Sequence, residues 1–135
     1  MASIFTKIIK GEIPSYKVAE NDEFYAFLDI RPVAKGHTLV VPKIEIDVFF
    51  DLPEDLLSGM MPFCKKVAAA IKVVVPCNRI GITVLGLEVP HAHLHLIPIS
   101  ALGDMNFQKP AVSLTQDEMT ELAQSIYTNF LNFNP

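Results

Sequence analysis

The stretch EVPHAHLHLIPIS, Glu88 to Ser100, places His91, His93 and His95 at every second position with Ala92, Leu94 and Leu96 between them. Alternation with period two belongs to a β-strand, which turns residues i, i+2 and i+4 to one face. The three imidazoles therefore share a face, with same-face neighbours roughly 7 Å apart at twice the strand rise. Ala92, Leu94, Leu96 and Pro98 form a small and apolar row on the other face, suited to a core. Pro90 and Pro98 bracket the run, where a ladder starts or stops and a missing N–H is tolerated.

The rest of the chain supplies elements for such a strand to join. Ser3 caps a short helix over IFTKIIK that stops at Gly11, with Ile4 and Ile8, joined by Phe5 and Ile9, on one face. YKVAE and EFYAFLD read as two strands joined by a turn at Asn21-Asp22. DIRPVAKG is a loop punctuated by Pro32 and Gly36, and HTLVVPK is a third strand ended by Pro42. From Leu52 to about Val74, residues Leu56, Met60, Phe63, Val67, Ile71 and Val74 recur at helical spacing. Pro62 is expected to kink or split this main helix. RIGITV is a fourth strand, and its short link to the histidine stretch makes the two antiparallel neighbours. An extended crossing, ALGDMNFQKPAV, leads to a helix that starts at a Thr115/Glu118 capping box and lines Met119, Leu122, Ala123, Ile126 and Phe130 along one face. The order α-β-β-β-α-β-β-α predicts an α+β domain with a mostly antiparallel sheet.

At 135 residues, half of them apolar, the chain fits one domain spanning 1–135, with 100–135 a C-terminal extension ending in a helix. A net charge of −4 and a pI near 5.5 provide no basic face for duplex DNA or RNA, so no nucleic-acid partner is expected. Cys64 and Cys77 form no CxxC and no zinc framework, and read as free thiols in a reducing compartment. The N-terminal MASIFTKIIKGEIPS lacks a signal-peptide core, and no run approaches the ~20 apolar residues of a membrane span. A cytoplasmic protein without membrane contact is the expectation.

Three readings of the histidines compete. As structural residues they would put three polar rings into a core where each needs a partner. As metal ligands, an HxH pair could offer two nitrogens, with His95, His37 or Glu88 as further donors, although no other acid or histidine falls at recognisable ligand spacing. As catalysts, imidazoles near their ordinary pKa of about 6.5 are mostly neutral at pH 7 and able to attack phosphorus. A protonated ring ~7 Å from its neighbour would disfavour a second charge by roughly 2.4 kcal/mol at an effective dielectric of about 20, or about 1.7 pK units. A neutral nucleophile could then sit beside a cationic, phosphate-binding neighbour.

HAHLHLI resembles the His-φ-His-φ-His-φ-φ pattern of the histidine triad (HIT) family, with the small Ala92 at the first φ. SIFTKIIKGEIPSYKVAEND is similar to the start of the Hint-like branch, FLDIRP to its nucleoside-contacting segment and GHTLVVPK to its next strand. The matches keep family order over residues 3 to 99. The resemblance implies a HIT-like fold with a five-stranded antiparallel sheet, a main helix and a C-terminal helix, paired as a homodimer. It implies hydrolysis or transfer at the α-phosphate of a purine nucleotide conjugate, such as a nucleoside phosphoramidate, without a cofactor. By position, His93 attacks phosphorus and becomes nucleotidylated, His91 orients it partly through its backbone carbonyl, and His95 binds phosphate oxygens. His37 matches the family histidine beside the triad, Asp29 the acid that binds the ribose hydroxyls, and Ile30 the residue against the base. Phe5, Ile8 and Phe27 can wall the base pocket or belong to plain core, and Arg31, Lys35 and Lys43 read as solvated surface charges.

The chain departs from the family just before the triad. Hint-like members carry a longer, polar, glycine-rich loop there; TVLGLEVPH puts Thr83 near the asparagine that starts it, with Leu87 and Glu88 where donors to phosphate and leaving group are usual. Losing one such donor elsewhere costs about 3 kcal/mol. Some bacterial relatives bind a structural zinc through cysteines of an N-terminal IFC region; Thr6 follows Phe5 here, so no metal is expected. The C-terminal part also differs from the short Hint tail that reaches the partner's active site.

Overall fold

The computed structural model describes residues 2–133. Helix α1 (Ile4–Ile9) begins at Ser3, whose Oγ accepts the Thr6 N–H, and ends before Gly11, which takes a φ of +78°. A helix this short buries one stripe: Phe5 is its buried anchor, Ile8 and Ile9 flank it, and Ile4 turns to solvent.

Strands β1 (Lys17–Glu20), β2 (Phe24–Leu28), β3 (Thr38–Pro42), β4 (Arg79–Thr83) and β5 (Leu94–Ile99) form one sheet in the order β1-β2-β3-β5-β4. Every neighbouring pair is antiparallel. Asn21 closes the first hairpin by accepting the Glu23 and Phe24 N–H groups on its side-chain oxygen.

Helix α2 (Glu54–Val74) runs through Pro62 as one element, so the helix is not split there. Pro62 sits on the exposed face, where water can satisfy the carbonyl that its missing N–H leaves without a partner. Helix α3 (Gln116–Leu131) starts at the Thr115/Glu118 box, formed in both directions. These two helices cover one sheet face, where Phe24, Ala26, Leu28, Val40, Leu94 and Leu96 pack with Met60, Val67, Ile71, Leu122 and Ile126. Burying each large apolar side chain there contributes roughly 1.5–3 kcal/mol.

The other face carries Tyr25, Phe27, Leu39 and Val41 beneath Phe5 of α1. Leu39 is the register partner of His95, so the histidines belong to this second face. Only His95 lies within β5; His91 and His93 precede it in an extended lead-in, a correction to the expected strand. The Ala92 N–H donates to Ile46 O and the His91 N–H turns back to Val89 O, so pairing with β3 starts at Val40 opposite Leu94. Alternation persists through the lead-in, since Ala92 still packs with the apolar core and the His91 ring lies against Phe5.

After β5, Asp104 accepts the Ser100 and Ala101 N–H groups and caps a 3-10 turn, Leu102–Met105. The irregular chain beyond it crosses the histidine side, and the Val112 N–H donates to Pro32 O. Among the described residues no helix is long and apolar enough to cross a membrane.

Candidate active site

The loop from Asp29 to His37 is closed by the Asp29 N–H donating to His37 O at 3.0 Å. Gly36 makes the return into β3 with a φ of +91°, and a Cβ there would stand 3.0 Å from Val75 Cγ2 and 3.2 Å from Pro98 Cγ. Glycine is required on both counts. The loop then fixes the next ring: His37 Nδ1 accepts the Val33 N–H at 3.0 Å, so its proton is on Nε2. That Nε2–H donates to His95 Nδ1 at 2.9 Å and lies 3.6 Å from Asp29 Oδ2. His95, accepting on Nδ1, in turn carries its proton on Nε2.

The other two rings are fixed in the same way. His91 Nε2 donates to Pro42 O at 2.8 Å, and its Nδ1 lies 2.7 Å from Ser3 Oγ. His93 Nδ1 donates to the His91 carbonyl at 2.7 Å, which leaves the lone pair on Nε2. Among the described residues no buried side-chain nitrogen or oxygen lacks a partner. The two ring nitrogens without a protein partner, His93 Nε2 and His95 Nε2, are therefore reached by solvent. The two rings stand 5.2 Å apart between centroids, closer than the backbone spacing suggests because they lean together.

Burial dominates the protonation of these rings. It pushes His37 down to about 4 and, with the neighbouring His37 and His93 rings, His95 down to about 3. His93 is also lowered, mainly by burial, against the pull of the His91 carbonyl and of the Asp29 and Glu88 carboxylates. Asp29 is raised by burial, opposed by the Arg31 N–H and by the His93 and Arg31 charges. Desolvation therefore disfavours the charged form of His37, His93 and His95 alike, and for His95 the repulsion from the neighbouring rings adds to it; the burial does not favour the cationic, phosphate-binding imidazole expected beside a neutral nucleophile.

His93 and His95 open into a cleft of about 490 Å³ lined also by Asp29, Arg31, Val33, Leu85, Gly86, Leu87, Glu88, Phe107, Lys109 and Ala111. These features match a family model: the HIT domain is recognised over residues 10–102. The chain belongs to the HIT family. Adenosine 5'-monophosphoramidase HNT1 of Saccharomyces cerevisiae is 45% identical over 101 residues, 72% of this chain and 62% of that protein. The matched region thus spans less than two-thirds of that relative. A hypothetical histidine triad nucleotide-binding protein from Sulfolobus tokodaii superposes with a TM-score of 0.80 at 30% identity, covering 95% of this chain and 91% of that one. A Hit-like protein from Bartonella henselae gives 0.79 at 30% identity, over 94% and 95% of the two chains.

Within this HIT domain the structure gathers His93, His95, Asp29 and Glu88 around one cleft, with His91 behind His93 and His37 behind His95. Thr83 is the register partner of His95 on β4 but does not line the cleft, and Ile30 is 77% exposed outside it. Arg31, read from sequence as a surface charge, lines the cleft, whereas Lys43 pairs with Glu20 at 2.7 Å. Phe107 and Lys109 come from the irregular crossing; the Phe107 ring lies 5.0 Å from His95 and 5.8 Å from His37, and Lys109 Nζ donates to Gly103 O. Their signal in the sequence was slight: an aromatic and a cation in a stretch without periodicity.

Asp29, His37 and His95 present three donor atoms within 4.8 Å of one another. A cation there would have to displace the proton that His37 already shares with His95. At the N-terminus Thr6 donates its hydroxyl to Glu45 at 2.6 Å.

Proposed function

We propose that this HIT protein hydrolyses or transfers a nucleotide from a purine nucleotide conjugate, such as an adenosine phosphoramidate, through a nucleotidyl-His93 intermediate. One observation carries the reading: His93 has its Nδ1–H fixed on the His91 carbonyl and an unprotonated Nε2 open to the cleft. The phosphoramidase name of the Saccharomyces relative supports it. Nε2 attacks the α-phosphorus, and the P–N bond breaks with its electron pair going to the departing amine, which takes a proton from solvent in the open cleft. Water or another acceptor then attacks phosphorus and returns a proton to solvent, and the P–Nε2 bond breaks with its pair going back to the ring, which releases the nucleotide and restores neutral His93.

The other groups follow from their placement. His95 offers a neutral Nε2–H to a phosphate oxygen, steadied from behind by His37. Asp29, with Oδ1 taken by the Arg31 N–H at 2.8 Å, has Oδ2 for the ribose hydroxyls, and Ile30 can meet the base on the outside of the same loop. Since the rings facing the cleft are neutral, Arg31 and Lys109 balance the phosphate charge. Glu88 at the rim favours a leaving group that is a cationic amine. Comparing amine-linked with alcohol-linked adenylates in wild type and Glu88→Gln tests this preference, which an unchanged ratio would exclude. We place the domain over the whole chain and expect a homodimer built on β4, an edge strand whose Ile82 and the following Val84 are exposed.

The deciding experiment mixes the protein with an adenosine phosphoramidate, quenches, and weighs the intact chain. An adenylyl adduct is expected in wild type and not in His93→Ala; turnover independent of His93 would refute the mechanism. A second reading, a nucleotide-binding module with little turnover, is favoured by Leu87, which is 88% exposed and supplies no side-chain donor. Binding without turnover would select it.

A further inference from the structure

His91 does not open to the cleft, yet its ring is completely buried and held at both nitrogens. A carbonyl only accepts, so the bond to Pro42 O puts the His91 proton on Nε2. In the neutral ring Nδ1 must then accept, and the nearer donor is the Ser3 hydroxyl at 2.7 Å; the Thr6 hydroxyl stands at 3.4 Å and gives its proton to Glu45. Ser3 thus does two things at once: its oxygen accepts the Thr6 N–H at 3.0 Å as the cap of α1, and its proton goes to His91. The alternative acceptor for that proton, Thr6 Oγ1, is farther at 3.3 Å and already spends its own proton on Glu45.

Glu45 completes the arrangement from the loop after β3. One oxygen, Oε1, accepts the Ser3 N–H at 2.7 Å and the Thr6 hydroxyl at 2.6 Å. These donors hold the Glu45 carboxyl down to about 2, so it stays ionised and keeps the first turn of α1 in place. The same turn delivers Phe5, whose ring meets His93 edge-on at 5.0 Å and His91 at 5.8 Å. The first turn of α1 therefore touches the nucleophile's ring directly and, through His91, controls the carbonyl on which that ring's Nδ1–H rests.

We propose that Ser3, anchored by Glu45, is a positioning residue for His93: by donating to His91 Nδ1 it fixes the orientation of a ring whose tautomer the Pro42 carbonyl has set, and so sets the carbonyl that orients the nucleophile. The inference rests on the nucleotidyl-His93 reading and goes beyond it by assigning a role to residues remote from the cleft. Removing the donor leaves the His91 ring held at Nε2 alone, which loosens the His91 carbonyl and misaligns His93 Nε2 without altering the surfaces that bind the nucleotide.

Ser3→Gly and Ser3→Thr separate this role from capping. Glycine is an acceptable cap residue and retains most of the helix stability, but it has no hydroxyl; threonine retains both cap and donor. In Ser3→Gly we expect kcat for adenosine phosphoramidate to fall roughly tenfold, about 1.4 kcal/mol of transition-state stabilisation, with KM within about twofold. Nitrogen-15 NMR of the histidine rings should show His91 Nδ1 at the shift of a hydrogen-bonded acceptor in wild type and Ser3→Thr, and moved toward that of an unpaired ring nitrogen in Ser3→Gly. Threonine should restore kcat. A kcat unchanged by glycine, or one that falls while the His91 Nδ1 shift stays fixed, would overturn the proposal. Should wild type form no nucleotidyl adduct, the functional reading fails by itself, and the Nδ1 comparison still decides whether Ser3 holds His91.

Discussion

Leu94 and His95 are consecutive in β5 and both are buried, yet one meets the helix-covered core and the other the cleft, with Phe107 of the crossing segment beside it. On the Leu94 side, shape and area suffice, and no polar group needs a partner. On the His95 side each buried ring has its proton assigned by a named neighbour: Val33 and His95 for His37, Pro42 and Ser3 for His91, the His91 carbonyl for His93. Buried polar networks are retained at this level of completeness where orientation matters, because a missing partner costs about 1–3 kcal/mol per group. The contrast separates stability from chemistry by one residue of register.

Substitutions on the two sides should therefore fail differently. His93→Ala is expected to lower kcat by roughly 10³-fold or more while the thermal midpoint moves little; single-turnover assays and a melt measure both, and a melt that collapses would break the contrast. Leu94→Ala, one residue away, should cost about 2–5 kcal/mol in urea unfolding with kcat per folded molecule nearly kept. Acid should act first on the histidine side, since histidines titrate above the carboxylates. His37 and His95 have folded pKa values of about 4 and about 3 against an ordinary 6.5, so below about pH 6.5 the unfolded chain binds protons the folded one excludes. Stability present above pH 6.5 is then lost as pH falls, by about 1.4 kcal/mol per pH unit for each excluded proton, levelling off near 4 and then 3. Denaturation midpoints from pH 7 to 4 test this, and substituting His37 by Gln should flatten the slope. The smallest effect belongs to the cleft's rim: Lys109→Ala should lower kcat/KM about threefold, in line with an exposed charge worth up to about 1 kcal/mol, and added salt should erase the difference.

The periodicities that were plain in the sequence concern residues whose partners are dictated by local geometry. The five strands, the shared face of the triad, the Ser3 and Thr115 caps and the buried stripe of α3 follow from spacing alone. What escaped depends on what lies across space. Pro62 did not split α2 because its open side faces water, which no hydropathy pattern specifies. His91 and His93 fell outside β5 because Ile46 O, far along the chain, takes the Ala92 N–H. The downward shifts of His93 and His95 were only half legible, because repulsion between rings follows from spacing, whereas the burial that adds to it does not. Arg31, Phe107 and Lys109 reach the cleft from segments with no repeat, and only tertiary contact brings them there.

The crossing segment also imposes an order of assembly. Phe107, Lys109 and Ala111 follow every strand in the chain, and they are held between β5 and α3, the latter packed against β1 and α2 on the far side of the sheet. During synthesis, sheet and triad can be complete while the cleft still lacks this wall. A growing chain therefore carries the triad before the residues of this wall are synthesised, and the cleft is complete only once they are in place.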